Sequence, residues 1–172
     1  VFVGPAPPPS PVEGQVWADS SAPLPPGPQG LLARAIQSDQ ATRTATSFAA
    51  AVDFAQTPAV ACQAGRIYRV RAFTANCGFT ANAAPQQILW MAVARAGVQL
   101  SFATAVTATT IDQRWNLWAE WTGTMAAGSY QFSARFWATG GTYRPDFTGA
   151  GSQGVVVTVE DLGPSPGGAS FP

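Results

Sequence analysis

From Gly30 to Asp161 the chain keeps one rhythm, an alternation of apolar and polar side chains with period two. That period places successive side chains on opposite faces of an extended strand. Eight segments carry it: 31–37, 42–49, 66–75, 87–95, 98–109, 113–123, 129–139 and 154–161. Gly, Pro, Asn or Asp bound them, and only "TSFAAAVDFAQ" (46–56) is rich enough in alanine to compete as a helix. About eight strands so spaced predict an all-β fold, an antiparallel, jelly-roll-like β-sandwich.

The alternation also assigns faces. In "RIYRVRAFT" Arg69 and Arg71 share one side, so Tyr68, Val70 and Ala72 form the predicted buried set. In "VQLSFATAV" Val98, Leu100, Phe102, Thr104 and Val106 point one way. "QILWMAV" is apolar on both sides, which marks a strand covered from two directions.

Residues 1–29 obey another rule. Nine of the 15 prolines fall within the first 30 residues, and proline lacks the amide hydrogen that helices and central strands need. An extended arm with polyproline II character is expected there. Within it "GQVWADS" alternates enough to form one short strand if an edge is offered. The organisation read from the sequence is an arm (1–29), a sandwich domain (30–163) and a flexible C-terminal tail (164–172).

"RWNLWAEWTGT" (114–124) places Trp115, Trp118 and Trp121 three apart, a spacing that also suits a helical stripe. The following "TGTMAAGS" and the alternating "SYQFSARFW" argue for a hairpin instead. Pairing across that turn sets Trp121 opposite Tyr130, Ala119 opposite Phe132, Leu117 opposite Ala134 and Trp115 opposite Phe136. Trp115 and Trp121 are thereby core residues, and Trp118 and Trp137 are left for the outer surface beside Arg114, Asn116 and Glu120. Such a surface suits either a protein contact or a sugar, whose ring stacks on indole while its hydroxyls meet polar side chains.

Composition narrows the chemistry. The chain has no histidine, so a Ser-His-Asp triad or a His-ligated zinc is excluded. No catalytic residues, no metal site and no cofactor are expected, and the chain is read as not an enzyme. "GAGSQG" (149–154) resembles a phosphate loop but opens a strand rather than a helix N-terminus. Glu160 and Asp161 read as a solvated strand end.

Nine cations, all arginine, balance nine acids, and only 10% of residues are charged. No clustered positive charge exists to hold phosphates, so nucleic acid is not an expected partner. A neutral surface this poor in charge favours a subunit of an assembly. No run of 18 uncharged apolar residues exists, so no membrane insertion is expected, and "VFVGPAPPPS" lacks the basic start and apolar run of a signal peptide. Cys62 and Cys77 flank a strand whose ends lie too far apart for a bridge, and two free thiols are expected.

Several stretches resemble virion proteins of tailed phages infecting actinobacteria, of the minor tail and head-decoration (fibre-like) class. "PSPVEGQVWADSSA" is similar to lead-ins of such surface proteins, and "VVVTVEDLGPSP" to their closing strand. "GLLARAIQSDQATRT" and "AGRIYRVRAFT" resemble the first strands of the same β-sandwich. Arginine-only basicity and abundant alanine agree with a GC-rich host.

The resemblance implies a non-enzymatic structural protein at the particle surface, a capsid decoration, head fibre or minor tail protein. The arm would attach to other virion proteins, major capsid or tail, with Val16 and Trp17 as its anchors, and a jelly roll would project, in a homo-trimer. The alternative is a host-adhesion module that binds a surface glycan through its exposed tryptophans.

Overall fold

Period two becomes strand over most of the predicted segments. The computed structural model describes residues 2–4, 17–19, 29–38, 41–81, 86–101, 104–108, 113–147 and 154–165. Two antiparallel sheets face each other across an apolar core, and the fold is all-β with a β-sandwich architecture.

Sheet one is built from β3 (Gly30–Gln37), β6 (Arg66–Ala81), β10 (Trp115–Thr124) and β14 (Val155–Pro164), in the order β10-β6-β14-β3. β13 (Thr142–Arg144) pairs with the far end of β6. Sheet two takes β4 (Asp53–Phe54), β12 (Phe132–Ala138) and β7 (Gln87–Arg95), with β8 (Val98–Gln99) and β9 (Thr104–Ala108) both on the outer side of β7. A short ladder joins β5 (Val60–Cys62) to β11 (Gly128–Tyr130).

In the N-terminal region β1 (Phe2–Gly4) and β2 (Trp17–Asp19) pair in parallel. The edge that "GQVWADS" uses thus comes from the chain itself.

Alternation decides which side chains meet in the middle. Val70, Ala72, Leu117, Ala119, Val155, Val157 and Val159 of sheet one pack against Leu89, Met91, Val93, Phe132, Ala134 and Phe136 of sheet two. Tyr68, Val70 and Ala72 are buried, as their phase against Arg69 and Arg71 predicts. β7 is covered on both sides, with Ala92 and Ala94 buried on the face away from the core.

The turn from β7 to β8 is Ala96–Gly97, both with positive φ (46° and 82°), the mirror-image turn that matches strand twist. Gly78 has a different reason to be glycine. A Cβ there would lie 2.2 Å from the Gln113 carbonyl oxygen, so only a bare backbone lets β6 and the segment leading into β10 approach.

Several expectations are corrected. Residues 113–123 and 129–139 form no hairpin with each other. β10 pairs with β6, setting Trp121 opposite Val70 and Ala119 opposite Ala72, whereas β12 pairs with β7 and β4. Gly128–Tyr130 pairs with β5, and the chain crosses between the sheets at that point. The face assignment nevertheless holds, because period two fixes which side a residue takes and is silent about its partner. Leu117, Ala119, Phe132, Ala134 and Phe136 are buried, and Trp115 and Trp121 are partly buried against the core.

The predicted strand 42–49 is an irregular segment with a single bridge, Arg43 to Tyr143. It is not a helix either, since Ser47 Oγ accepts the Ala50 amide (3.2 Å) and closes a turn. The predicted strand 98–109 is two strands, because Ser101 Oγ takes the Val93 amide (2.9 Å) out of the ladder.

The end of β14 is not solvated. Arg66 Nε donates to Asp161 Oδ2 at 2.7 Å with both side chains buried, and the Gly163 amide donates to Asp161 Oδ1 at 2.8 Å. Glu160, on the opposite face, pairs with Arg69. Of "GAGSQG", 149–153 lie outside the described residues.

Candidate functional site

The outer face of sheet one is ordered in rows, because residues paired across strands share a face. One row runs Trp118–Phe73–Val156–Ile36, a continuous line over all four strands. It is apolar throughout and faces water: Trp118 is 62% exposed, Ile36 50% and Phe73 37%.

The next row is Glu120–Arg71–Thr158–Arg34, and the one after it is Thr122–Arg69–Glu160–Leu31. Arg71 Nε reaches Glu120 Oε2 at 2.6 Å and its Nη1 lies 3.9 Å from Glu160 Oε1, and Arg69 Nε donates to Glu160 Oε2 at 3.0 Å. The charges thus form a connected band beside the apolar row. Arg34 is exposed at the β3 end of that band.

This face gathers apolar surface out of proportion. Among the described residues the exposed large hydrophobics are Leu31, Ile36, Val52, Phe73, Val98, Trp118 and Leu162, and five of these belong to β3, β6, β10 and β14. A contiguous apolar patch rimmed by polar groups marks an interaction surface.

The sequence-predicted surface set divides. Asn116, Trp118 and Glu120 lie on β10 and are exposed, and Arg114, just before the strand, stacks its guanidinium 3.5 Å from the Phe147 ring centre. Trp137 belongs to the other sheet. There it stacks on Trp90, centroids 5.9 Å apart and planes at 16°, and meets the edge of Phe48 at 5.6 Å. Trp118 and Trp137 therefore do not share a surface. Val16 lies outside the described residues, and Trp17 is described only as backbone in β2.

Beside the Trp90–Trp137 stack, Arg135 Nε and Ser133 Oγ both donate to Asp53 Oδ1 at 2.7 Å, and Arg135 also lies over the Phe48 ring. The Arg135 bond holds the Asp53 carboxyl below its usual 3.8, against the opposing effect of burial. This cluster anchors the segment before β4 onto sheet two. A cleft of about 430 Å³ opens nearby, lined by Thr42, Thr44, Thr46, Arg43, Phe54 and Tyr143 among others. No group of three or more His, Cys, Asp or Glu residues stands close enough to hold a metal among the described residues.

Phe73, Val156, Ile36, Trp90 and Phe48 were not singled out from the sequence. Phe73 was within reach, since it continues the alternation of the exterior residues Arg69 and Arg71. The row it belongs to needed the strand order.

No family model matches the chain, and no curated protein matches it. Among solved structures, the C-terminal domain of EclA, a sugar-binding protein, is similar over 72% of this chain and 80% of its own length, with a TM-score of 0.36 and 7% identity.

Proposed function

We propose that this chain is a non-enzymatic structural protein of a tailed-phage particle, attached through its N-terminal arm and projecting the sandwich from the virion surface. The observation that carries the reading is the apolar row Trp118–Phe73–Val156–Ile36, a sheet face that no other described segment of the chain covers and that suits a macromolecular neighbour. The lead-in "PSPVEGQVWADSSA" and the closing "VVVTVEDLGPSP", which resemble stretches of virion proteins, support the same reading.

The test is incorporation. The full chain should be found by mass spectrometry in purified particles, and deletion of residues 1–29 should release it from them with the sandwich still folded. Absence of the full chain from particles would refute the virion reading, and retention of the deleted form would refute the arm.

A second reading, glycan binding, rests on Trp118, whose exposed ring lies on the same strand face as Asn116 and Glu120. Its test is a glycan array on which Trp118→Ala is compared with the parent chain. Loss of a signal with incorporation intact establishes adhesion, and an array blank for the parent chain rejects it.

A further inference from the structure

The rows on the outer face of sheet one have a property that one sheet alone does not use. A two-fold axis parallel to the strands, placed above the line between β6 and β14, lays β10 of one copy over β3 of another and β6 over β14. Each row then meets itself in reverse. Trp118 falls on Ile36 of the second copy and Phe73 on its Val156, so apolar meets apolar at all four positions of the row. In the next row Glu120 falls on Arg34 and Arg71 on Thr158; in the third, Arg69 falls on Glu160 and Thr122 on Leu31. Every acid meets a base or a neutral group, and no like charges face each other.

We infer that this face is a self-complementary interface, and that its occupant is a second copy of the same chain. The inference rests on the reading of this face as a protein contact and names the partner. An isologous contact requires that a patch be complementary to its own rotated image, and the row order Glu120–Arg71–Thr158–Arg34 meets that requirement with an acid at one end and a base at the other. Arg34 is the informative residue. It is exposed, while Arg69 and Arg71 already lie against carboxylates within their own sheet.

The size is also suitable. Four strands about 4.8 Å apart and roughly nine residues long present on the order of 600 Å² of sheet, near the roughly 800 Å² per partner of a standard interface once standing side chains are counted. Face-to-face sheets tolerate the angle that their twist imposes and stay about 10 Å apart.

The test uses the charged ends. Arg34→Glu sets two acids against each other in a homodimer, and Glu120→Arg sets two bases; each variant alone should dissociate at least tenfold more readily than the parent in sedimentation over a concentration series. An equimolar mixture of the two variants should recover the parent's association, because position 34 of one copy then again faces the opposite charge at position 120 of the other, in both halves of the interface. That recovery also demonstrates that both variants fold.

A parent chain that stays monomeric at all concentrations overturns the inference. So does association that neither variant weakens, which would place the contact elsewhere, or a mixture that stays dissociated, which would assign the face to a glycan, the arm or a different protein. The presence of the chain in particles is scored separately. Mixing that restores the dimer in a chain absent from particles sinks the virion reading alone, and incorporation without restoration sinks this one alone.

Discussion

The indoles of Trp90 and Trp137 stack at 5.9 Å across the β7 to β12 ladder, directly opposite each other in register. They lie on the outer face of sheet two, where Ala92, two residues on from Trp90, is buried without belonging to the core cluster. Trp137→Ala should remove both this stack and the edge contact with Phe48, at a cost of about 2–3 kcal/mol from half-buried ring area plus the aromatic pairing. Urea unfolding reads the cost. Two coupled indoles also give an exciton couplet in the far-ultraviolet circular dichroism, which either single variant, Trp90→Ala or Trp137→Ala, should abolish.

Leu117 and Trp118 are neighbours in the chain on opposite faces of β10. Leu117 is buried in the core and Trp118 is exposed. Leu117→Ala should destabilise the protein by about 2–5 kcal/mol through lost burial and a cavity. At concentrations where the chain is monomeric, Trp118→Ala should stay within about 0.5 kcal/mol, as for a surface position. Equal effects in chemical denaturation would mean that the face assignment of β10 is wrong.

Stability should decline in acid through Asp53. Its carboxyl titrates below 3.8 in the fold, held down chiefly by the Arg135 hydrogen bond. A depressed carboxyl stabilises fully above its unfolded value and loses that contribution as pH falls through the folded one. The unfolding midpoint should therefore drop below about pH 4, with a shallower drop in Asp53→Asn.

The thiols should behave in the opposite sense. Burial raises the Cys62 thiol above its usual 9.0 and pushes Cys77 up to about 12. Both are free and buried, so a disulfide-exchange reagent at mildly alkaline pH should label neither in the native protein and both after unfolding. For an acid with a raised folded value the stabilisation is present below the unfolded value and declines as pH rises beyond 9.0. Cys77→Ala should flatten that decline.

Much of the fold is legible in the sequence, and the reason is local. Tyr68, Val70 and Ala72 had to be buried once Arg69 and Arg71 were given to water, because a strand offers only two sides. The same logic put Leu117 and Ala119 inward and Trp118 outward. The predicted bounds of "QILWMAVAR", residues 87–95, are those of β7, since Ala96–Gly97 supplies the turn.

What alternation does not carry is the identity of a strand's neighbour. A hairpin between 113–123 and 129–139 satisfied every apolar pairing, yet β10 and β12 belong to different sheets. Either arrangement buries the same side chains, so only the competition among long-range ladders decides between them.

The sequence by itself therefore determined the class of fold and the side each residue takes, because backbone geometry enforces period two wherever a strand forms. The tertiary structure alone decided which residues stand in line. Trp118, Phe73, Val156 and Ile36 are scattered over 121 positions, counting Ile36 through Val156, and they become one surface only because β14 inserts between β6 and β3. Asp161 likewise reads as a solvated strand end until that insertion brings Arg66 to its carboxylate.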